Sequence, residues 1–256
     1  MSKLEIRQFS CLSDNYGFLV RDPASGETAA IDTPDADAYL AAANEAGWTI
    51  TQIWNTHHHF DHAGGNAALK AATGAVIYAP KYDQHRIEPA DHWIGDGDQV
   101  RLGDHIADVI YTPGHTMGHI VYHFAGQKIA FVGDTLFALG CGRLFEGTPQ
   151  NMWDSLSKLR AWPDETVLYC AHEYTQANAA FALSVDPDNP ELRSYAIDID
   201  QRRAKGLATV PTTLEREKAA NPFLRPDTSE LAKSVGLSDA GPVEVFAEVR
   251  ARKDRF

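Results

Sequence analysis

Cysteine is scarce in this chain. Its 256 residues contain three, Cys11, Cys141 and Cys170, and none lies in a C-x-x-C pair. That odd count argues against a disulfide framework or a cysteine zinc site, and a reducing compartment is expected. Long apolar runs are also missing. No stretch reaches the roughly 20 residues that span a bilayer. No apolar segment of the signal-peptide kind follows the opening Met1-Ser2-Lys3-Leu4-Glu5-Ile6. A soluble, cytoplasmic chain without a membrane partner is therefore expected. Basic residues are few: 23 Lys and Arg stand against 35 Asp and Glu, a formal net charge of −12. Proteins that neutralise many phosphates are basic or carry a dense basic patch, so no nucleic-acid partner is expected.

What is present points elsewhere. Apolar residues make up 44% of the chain, enough for a real core. The length allows one large domain or a domain with a smaller appendage. Histidine is the unusual component: of eleven, four fall between Thr56 and Ala63.

Residues 16–20 and 28–32 read as strands joined by an Asp-Pro-Ala-Ser-Gly turn at 22–26. Residues 35–47 have helical spacing with Gly47 as the stop. A short strand at 53–56 leads into the histidines, a helix is expected over 65–73, and a buried strand over 75–78. Further strands are predicted at 107–111, 120–124, 128–132 and 167–170, with a helix over 150–161. Strands alternating with helices imply sheets covered by helices, and the hairpin-like pairs imply mixed or antiparallel pairing. From residue 173 strand signals fade, and 191–205, 213–219 and 242–252 read as helix. The expected organisation is an α/β catalytic domain over 1–172 and a helical domain over 173–256.

The chemistry concentrates in Thr56-His57-His58-His59-Phe60-Asp61-His62, followed by Ala63-Gly64-Gly65-Asn66. In an extended segment residues i and i+2 point the same way, so His57 and His59 can reach one metal ion. His58 faces away, for packing or a hydrogen bond to the loop. Asp61 and His62 are adjacent, and a turn is needed to aim both at a second ion. Gly64-Gly65 is expected to supply the backbone freedom for that turn. A solvated histidine tract is the competing reading. It is disfavoured because the cluster is internal, follows an apolar strand and mixes Asp with His. Further ligands stand in matching contexts: His115 in a turn after a strand, Asp134 and His172 at the ends of apolar strands. Ligands at strand ends that converge on one rim are how a sheet scaffold builds a site. Five histidines and two carboxylates exceed what one tetrahedral ion takes. Divided between two ions, His57, His59 and His115 serve one, Asp61, His62 and His172 the other, and Asp134 bridges. Asp61 and Asp134, the two carboxylates, are assigned as catalytic as well as metal-binding. Zinc is the first expectation, with iron or manganese also compatible with such ligands.

Thr-His-His-His-Phe-Asp-His-Ala-Gly-Gly-Asn at 56–66 resembles the metal motif of the metallo-β-lactamase superfamily, with Phe60 where many members have Trp. Within it the chain resembles the glyoxalase II (hydroxyacylglutathione hydrolase) family nearly end to end. Gly-Cys-Gly-Arg-Leu-Phe-Glu-Gly-Thr at 140–148 is similar to that family's substrate loop, and His-Glu-Tyr-Thr at 172–175 to its last-ligand segment. Residues 218–225 and 250–256 resemble its helical glutathione-binding domain. The resemblance implies an αββα sandwich with the metals at one edge, a helical C-terminal domain, and hydrolysis of S-D-lactoylglutathione to D-lactate and glutathione. It implies glutathione contacts from Arg143, Phe145, Tyr174, Arg250 and Lys253. Many eukaryotic members have Lys and Tyr where this chain has Arg143 and Phe145. Arg143 keeps the charge and can grip a carboxylate bidentately, whereas Phe145 donates no hydrogen bond.

A substrate with two carboxylates needs local positive charge, and Arg250, Arg252, Lys253 and Arg255 surround only Asp254. Water between the ions is expected to ionise near neutral pH and attack the thioester carbonyl. The departing thiolate needs no strong general acid, since its parent thiol has a pKa of about 8.5. A monomer acting on a small-molecule thioester is expected. The same metal motif also serves glutathione persulfide dioxygenases with one iron, β-lactamases and RNA-processing nucleases. A non-catalytic glutathione- or metal-binding protein is the reading from a different class.

Overall fold

The computed structural model describes residues 2–256. They divide into two units: one runs through Tyr111 and includes Gly118–Gly133, the other comprises Thr112–Met117 and Asp134–Phe256.

The first unit holds two sheets. Strands β1 (Glu5–Cys11), β2 (Asn15–Arg21) and β3 (Thr28–Ile31) form an antiparallel meander. From β3 the sheet continues in parallel. Helix α1 (Ala36–Ala46) leads to β4 (Gln52–Trp54). The short α2 (Phe60–Ala63) and α3 (Asn66–Thr73) lead to β5 (Val76–Pro80), and β6 (His92–Ile94) completes the sheet. Parallel neighbours require such crossovers, since a tight turn only joins antiparallel strands. The second sheet includes the antiparallel meander β7 (Gln99–Leu102), β8 (His105–Tyr111), β9 (Ile120–Phe124) and β10 (Ile129–Gly133).

Alternation along the strands decides which face packs where. Leu19, Ala30, Ile53 and Ile77 pack with Tyr39 and Ala43 of α1 and Leu69 of α3. Their neighbours in sequence turn the other way, onto the second sheet. Phe18 meets Phe131 with ring centres 5.6 Å apart, and Trp54 lies 5.2 Å from Tyr122 and 5.8 Å from Phe124. Helix α1 has the ends its sequence announces. Asp35 accepts from Asp37 N and Ala38 N, and Gly47 closes the helix in the left-handed conformation at φ 69°.

In the second unit β11 (Leu136–Phe137) and β12 (Gly140–Cys141) make a tight hairpin. Helix α4 (Pro149–Arg160) follows, capped by Thr148 with Pro149 at its first position. Then come β13 (Val167–Cys170), α5 (Thr175–Val185), α6 (Pro190–Ala204), and β14 (Thr212–Thr213), which pairs with β13. Helices α7 (Leu214–Ala220), α8 (Ser229–Ser234) and α9 (Pro242–Arg255) finish the chain. Helices α5 and α6 bury Ala179, Ala182, Leu192, Tyr195 and Ile199 together with Leu139. Among the described residues no helix is long and apolar enough to cross a membrane.

The elements absent from sequence expectation include β1, β6, β7 and α5, besides the two-residue strands β11, β12 and β14 and the short helix α8. Strand β1 is polar along much of its length and only partly buried, as an edge strand can be, so its alternation is weak. Strand β6 is three residues long, too short to show a pattern, and β7 is a four-residue alternation, Gln-Val-Arg-Leu, that sequence reasoning overlooked. Helix α5 is apolar nearly all round rather than amphipathic, which removes the 3.6-residue signal by which helices are recognised.

Candidate functional site

Strands β3 and β4 are parallel neighbours with Ile31 opposite Trp54, so the residues after each leave the sheet side by side. Asp32 follows β3 at φ 51°. Its Oδ1 accepts from the Thr56 amide at 2.7 Å, and its Oδ2 accepts from the Thr56 hydroxyl at 2.9 Å. That same Oδ2 lies 2.9 Å from His62 Nδ1, while Thr56 Oγ1 lies 3.0 Å from His57 Nδ1. Both rings are thus held at Nδ1, which directs Nε2 away for another partner. His57 Nε2 sits 3.0 Å from His59 Nδ1, and His62 Nε2 sits 3.5 Å from Asp61 Oδ2. Asn15 steadies Asp61 by donating to its carbonyl at 3.0 Å and to its Oδ2 at 3.3 Å. His57 and His62 are buried, while His59 and Asp61 are partly open.

His58 turns the other way, as the two-residue period requires. Its Nδ1 is 3.4 Å from Asp83 Oδ2, and Arg86 Nη1 is 3.1 Å from its Nε2. The glycines act differently from expectation. Gly64 and Gly65 have ordinary right-handed φ values of −63° and −86°. A Cβ on Gly65 would lie 2.7 Å from Thr33 O and 2.9 Å from Ala36 N. Close approach of two backbones, with Thr33 N bonded to His62 O and Gly65 N to Thr33 O, is what requires glycine here. Gly133 combines both demands: φ is 47°, and a Cβ would strike Thr56 Oγ1 and His119 at 2.7 Å.

In the second unit His115, Asp134 and His172 meet. Asp134 Oδ2 is 3.3 Å from His115 Nε2, and its Oδ1 is 3.4 Å from His172 Nε2. The other ring nitrogen of His115, Nδ1, donates to Arg143 O at 2.8 Å. His172 stacks on Tyr174 at 4.7 Å and 2°, with Phe137 edge-on at 5.9 Å. Two donors that each lie about 2.1 Å from one ion at a tetrahedral angle are separated by about 3.4 Å. The separations 3.0, 3.3, 3.4 and 3.5 Å fit that requirement. Imidazoles held at the far nitrogen together with carboxylates suit a divalent ion. Ligand atoms of His57 and His59, of His57 and His62, and of Asp61 and His62 each approach within 4.8 Å.

The candidate substrate residues all lie in this unit. Arg143 is exposed, with Nε 3.4 Å from Asp254 Oδ1. Arg250 is only 6% exposed. Its Nη2 is 2.9 Å from the same Asp254 oxygen, its Nη1 donates to Cys141 O at 3.0 Å, and it lies over the Phe223 ring. Lys253 lies over the Phe181 and Phe256 rings and donates to Ala177 O at 3.3 Å. Burial and the nearby Arg250 lower its pKa. Phe145 is 60% exposed with its ring centre 5.3 Å from that of His115, and Tyr174 is 38% exposed. The structure therefore joins Arg143 and Arg250 through Asp254, with Lys253 near Arg250. Arg252 turns instead to Glu248 and Val235 O.

Sequence reasoning overlooked Asp32, Asn15 and the stacking partner of His57, His119 at 4.8 Å. Asp32 had a signal: it ends the apolar strand Thr-Ala-Ala-Ile as Asp134 ends Phe-Val-Gly.

A family model described as Metallo-beta-lactamase superfamily matches residues 17–172, and one described as Hydroxyacylglutathione hydrolase C-terminus matches residues 173–256. The chain is 65% identical over 256 residues to the hydroxyacylglutathione hydrolase of Maricaulis maris, covering all of both chains. It is 57% identical over 253 residues to that of Erythrobacter litoralis, covering 99% of this chain and all of the relative. Among solved structures, ETHE1 from Myxococcus xanthus superposes with a TM-score of 0.67 at 27% identity, over 97% of this chain and 98% of that one. The fold is the α/β metallo-β-lactamase sandwich with a helical C-terminal region. The chain belongs to the hydroxyacylglutathione hydrolase family of the metallo-β-lactamase superfamily.

Proposed function

We propose that this chain hydrolyses S-D-lactoylglutathione to D-lactate and glutathione, as a cytoplasmic monomer. The observation that carries the reaction is full-length likeness, at 65% identity, to a protein named hydroxyacylglutathione hydrolase. In this reading His57, His59 and His115 hold one divalent ion, Asp61, His62 and His172 hold a second, and Asp134 belongs to both. Zinc is the first choice, with iron or manganese as substitutes. The division is supported by Asp134, whose two oxygens face two different imidazoles. Residues 1–172 are then the catalytic domain and 173–256 the glutathione-binding domain, a boundary supported by the meeting of the two family matches.

Divalent ions in such a site supply an acidified water and a Lewis acid for the thioester carbonyl. The chain's own groups do the rest. Asp61 and Asp134 contribute the negative charge that holds the cations, and Asp32, Thr56 and the Arg143 carbonyl fix the imidazoles that face them. Arg143, Arg250 and Lys253 give the glutathione carboxylates a cationic seat. Phe145 and Tyr174 offer exposed aromatic faces near His115 and His172 for the peptide and acyl parts. The leaving thiolate departs without an acid from the chain, consistent with its parent pKa of about 8.5. Cys141 and Cys170 are not nucleophiles at neutral pH, because burial pushes their thiols up to about 11 and about 12.

Metal analysis paired with turnover tests the reading. About two ions per chain and hydrolysis of S-D-lactoylglutathione that a chelator abolishes are expected. One iron per chain, with oxygen uptake on glutathione persulfide and no thioester hydrolysis, would overturn it.

A further inference from the structure

The hairpin formed by β11 and β12 begins two residues after Asp134 and ends two residues before Arg143. Beyond its own strand pairing, its tip is held by side chains far along the chain. Asn221 Nδ2 donates to Phe137 O at 3.1 Å and to Gly140 O at 3.0 Å. Asn178 Nδ2 donates to Ala138 O at 3.1 Å. Glu217 Oε2 accepts from Leu139 N at 2.8 Å, across 78 positions of sequence. Besides the Phe137–Gly140 pairing of the hairpin itself, four successive residues thus each give a backbone group to a side chain of α5, of α7 or of Asn221, the residue that follows α7. Leu139 itself is fully buried at φ 56°, a conformation that a non-glycine residue adopts only when its surroundings impose it.

The clamp is itself braced. Glu217 Oε1 accepts from Thr212 Oγ1 at 2.9 Å and Tyr195 Oη at 3.2 Å, and Glu217 Oε2 accepts from Asn221 Nδ2 at 3.0 Å. Glu217, Asn221 and Leu139 are 0% exposed, so each of these bonds is made away from water, where an unmet partner is costly. At the hairpin's far end the Cys141 carbonyl takes Arg250 and the Arg143 carbonyl takes His115 Nδ1.

We propose that Glu217, Asn221 and Asn178 are positioning residues for the hydrolytic site, setting through the 137–140 tip the placement of Asp134 and His115 at one end and Arg143 at the other. The inference rests on the functional reading above. It assigns the helical region a second task beside glutathione binding: it fixes the geometry in which a metal-ligand group and a carboxylate-gripping arginine work together. A shared template explains why one buried carboxylate and two buried amides converge on a six-residue hairpin that contains no ligand of its own.

The test compares wild type with Asn221→Ala and, as the milder variant, Asn178→Ala. Each is assayed well below its own Tm for kcat and KM on S-D-lactoylglutathione, for metal content, and for amide hydrogen exchange over residues 136–141. Each variant should show faster exchange in that segment, lower metal occupancy, and a KM raised about tenfold, the effect of losing one or two buried hydrogen bonds that place a binding group. Faster exchange with wild-type kcat, KM and metal content would reduce the network to a stabilising role and overturn the proposal. Unchanged exchange would overturn it as well. Wild type that binds metal but leaves the thioester intact would defeat the functional reading, and exchange with metal content would still decide the clamp. Should Asn221→Ala fail to fold, Asn178→Ala decides alone.

Discussion

Asp134 and Asp32 are the same side chain in two different employments. Asp134 turns its two oxygens toward His115 and His172, while Asp32 spends both on Thr56 and His62. Asp134→Ala is expected to abolish hydrolysis and lower metal content, checked by turnover and metal analysis of the purified variant. Asp32→Ala leaves every proposed ligand in place but frees His62 Nδ1. Loss of such an orienting partner weakens metal affinity by about 10- to 100-fold, to be read by competition with a chelator. Gly65→Ala tests a different demand. The added methyl would press on Thr33 O and Ala36 N, so about 1–3 kcal/mol of stability should be lost, visible as a lower Tm. The motif around His57 was legible because its spacing is local. The role of Gly65 was not, because its obstacle is a backbone segment some thirty positions earlier in the chain.

Helix α9 shows how an element can look like one thing and serve two. Read as sequence, its end is a basic run around a single acid. Folded, Arg250 is buried against Cys141 O and shares Asp254 with Arg143. Arg250→Ala should therefore raise KM for S-D-lactoylglutathione more than it lowers kcat, as loss of a group that acts in binding does. It should also lower Tm, since the Cys141 carbonyl loses its Arg250 donor. An unchanged KM would remove Arg250 from glutathione binding. The helix ends of α1 and α4 were readable residue by residue, from Asp35, Gly47, Thr148 and Pro149. Helix α5 was not, since an element apolar on most sides has no face to announce.

At the scale of the whole molecule, pH should expose the buried carboxylate of the C-terminal region. Burial raises the pKa of Glu217 above its ordinary value, 4.5. The folded chain then keeps a proton that the unfolded chain has already released. The group's contribution to stability is full below the unfolded pKa and is lost as pH rises through the raised folded value. Glu217→Gln does not titrate, so wild-type Tm minus variant Tm should fall as pH is raised through that window and then level off. Thermal melts of both proteins from about pH 4 to about pH 8 check the sign. A difference that grows with pH would mean the carboxylate is stabilised in its charged form.

The amino-acid order by itself determined the strand-then-histidine framework and the family and suggested the proposed ligand set, because each is written in short stretches whose meaning needs only a known local period. It also determined that the basic end of the chain faces an acidic background. Only the tertiary structure decided that Asp32 holds His62, that Gly64 and Gly65 serve close approach rather than unusual torsion, and that Glu217, Asn178 and Asn221 grip the 137–140 tip. Apart from Gly64, which presses on Phe60 within its own turn, these are meetings of groups separated by 29 to 84 positions. Such pairings carry no local period, and the burial that makes them strong exists only once the chain has folded.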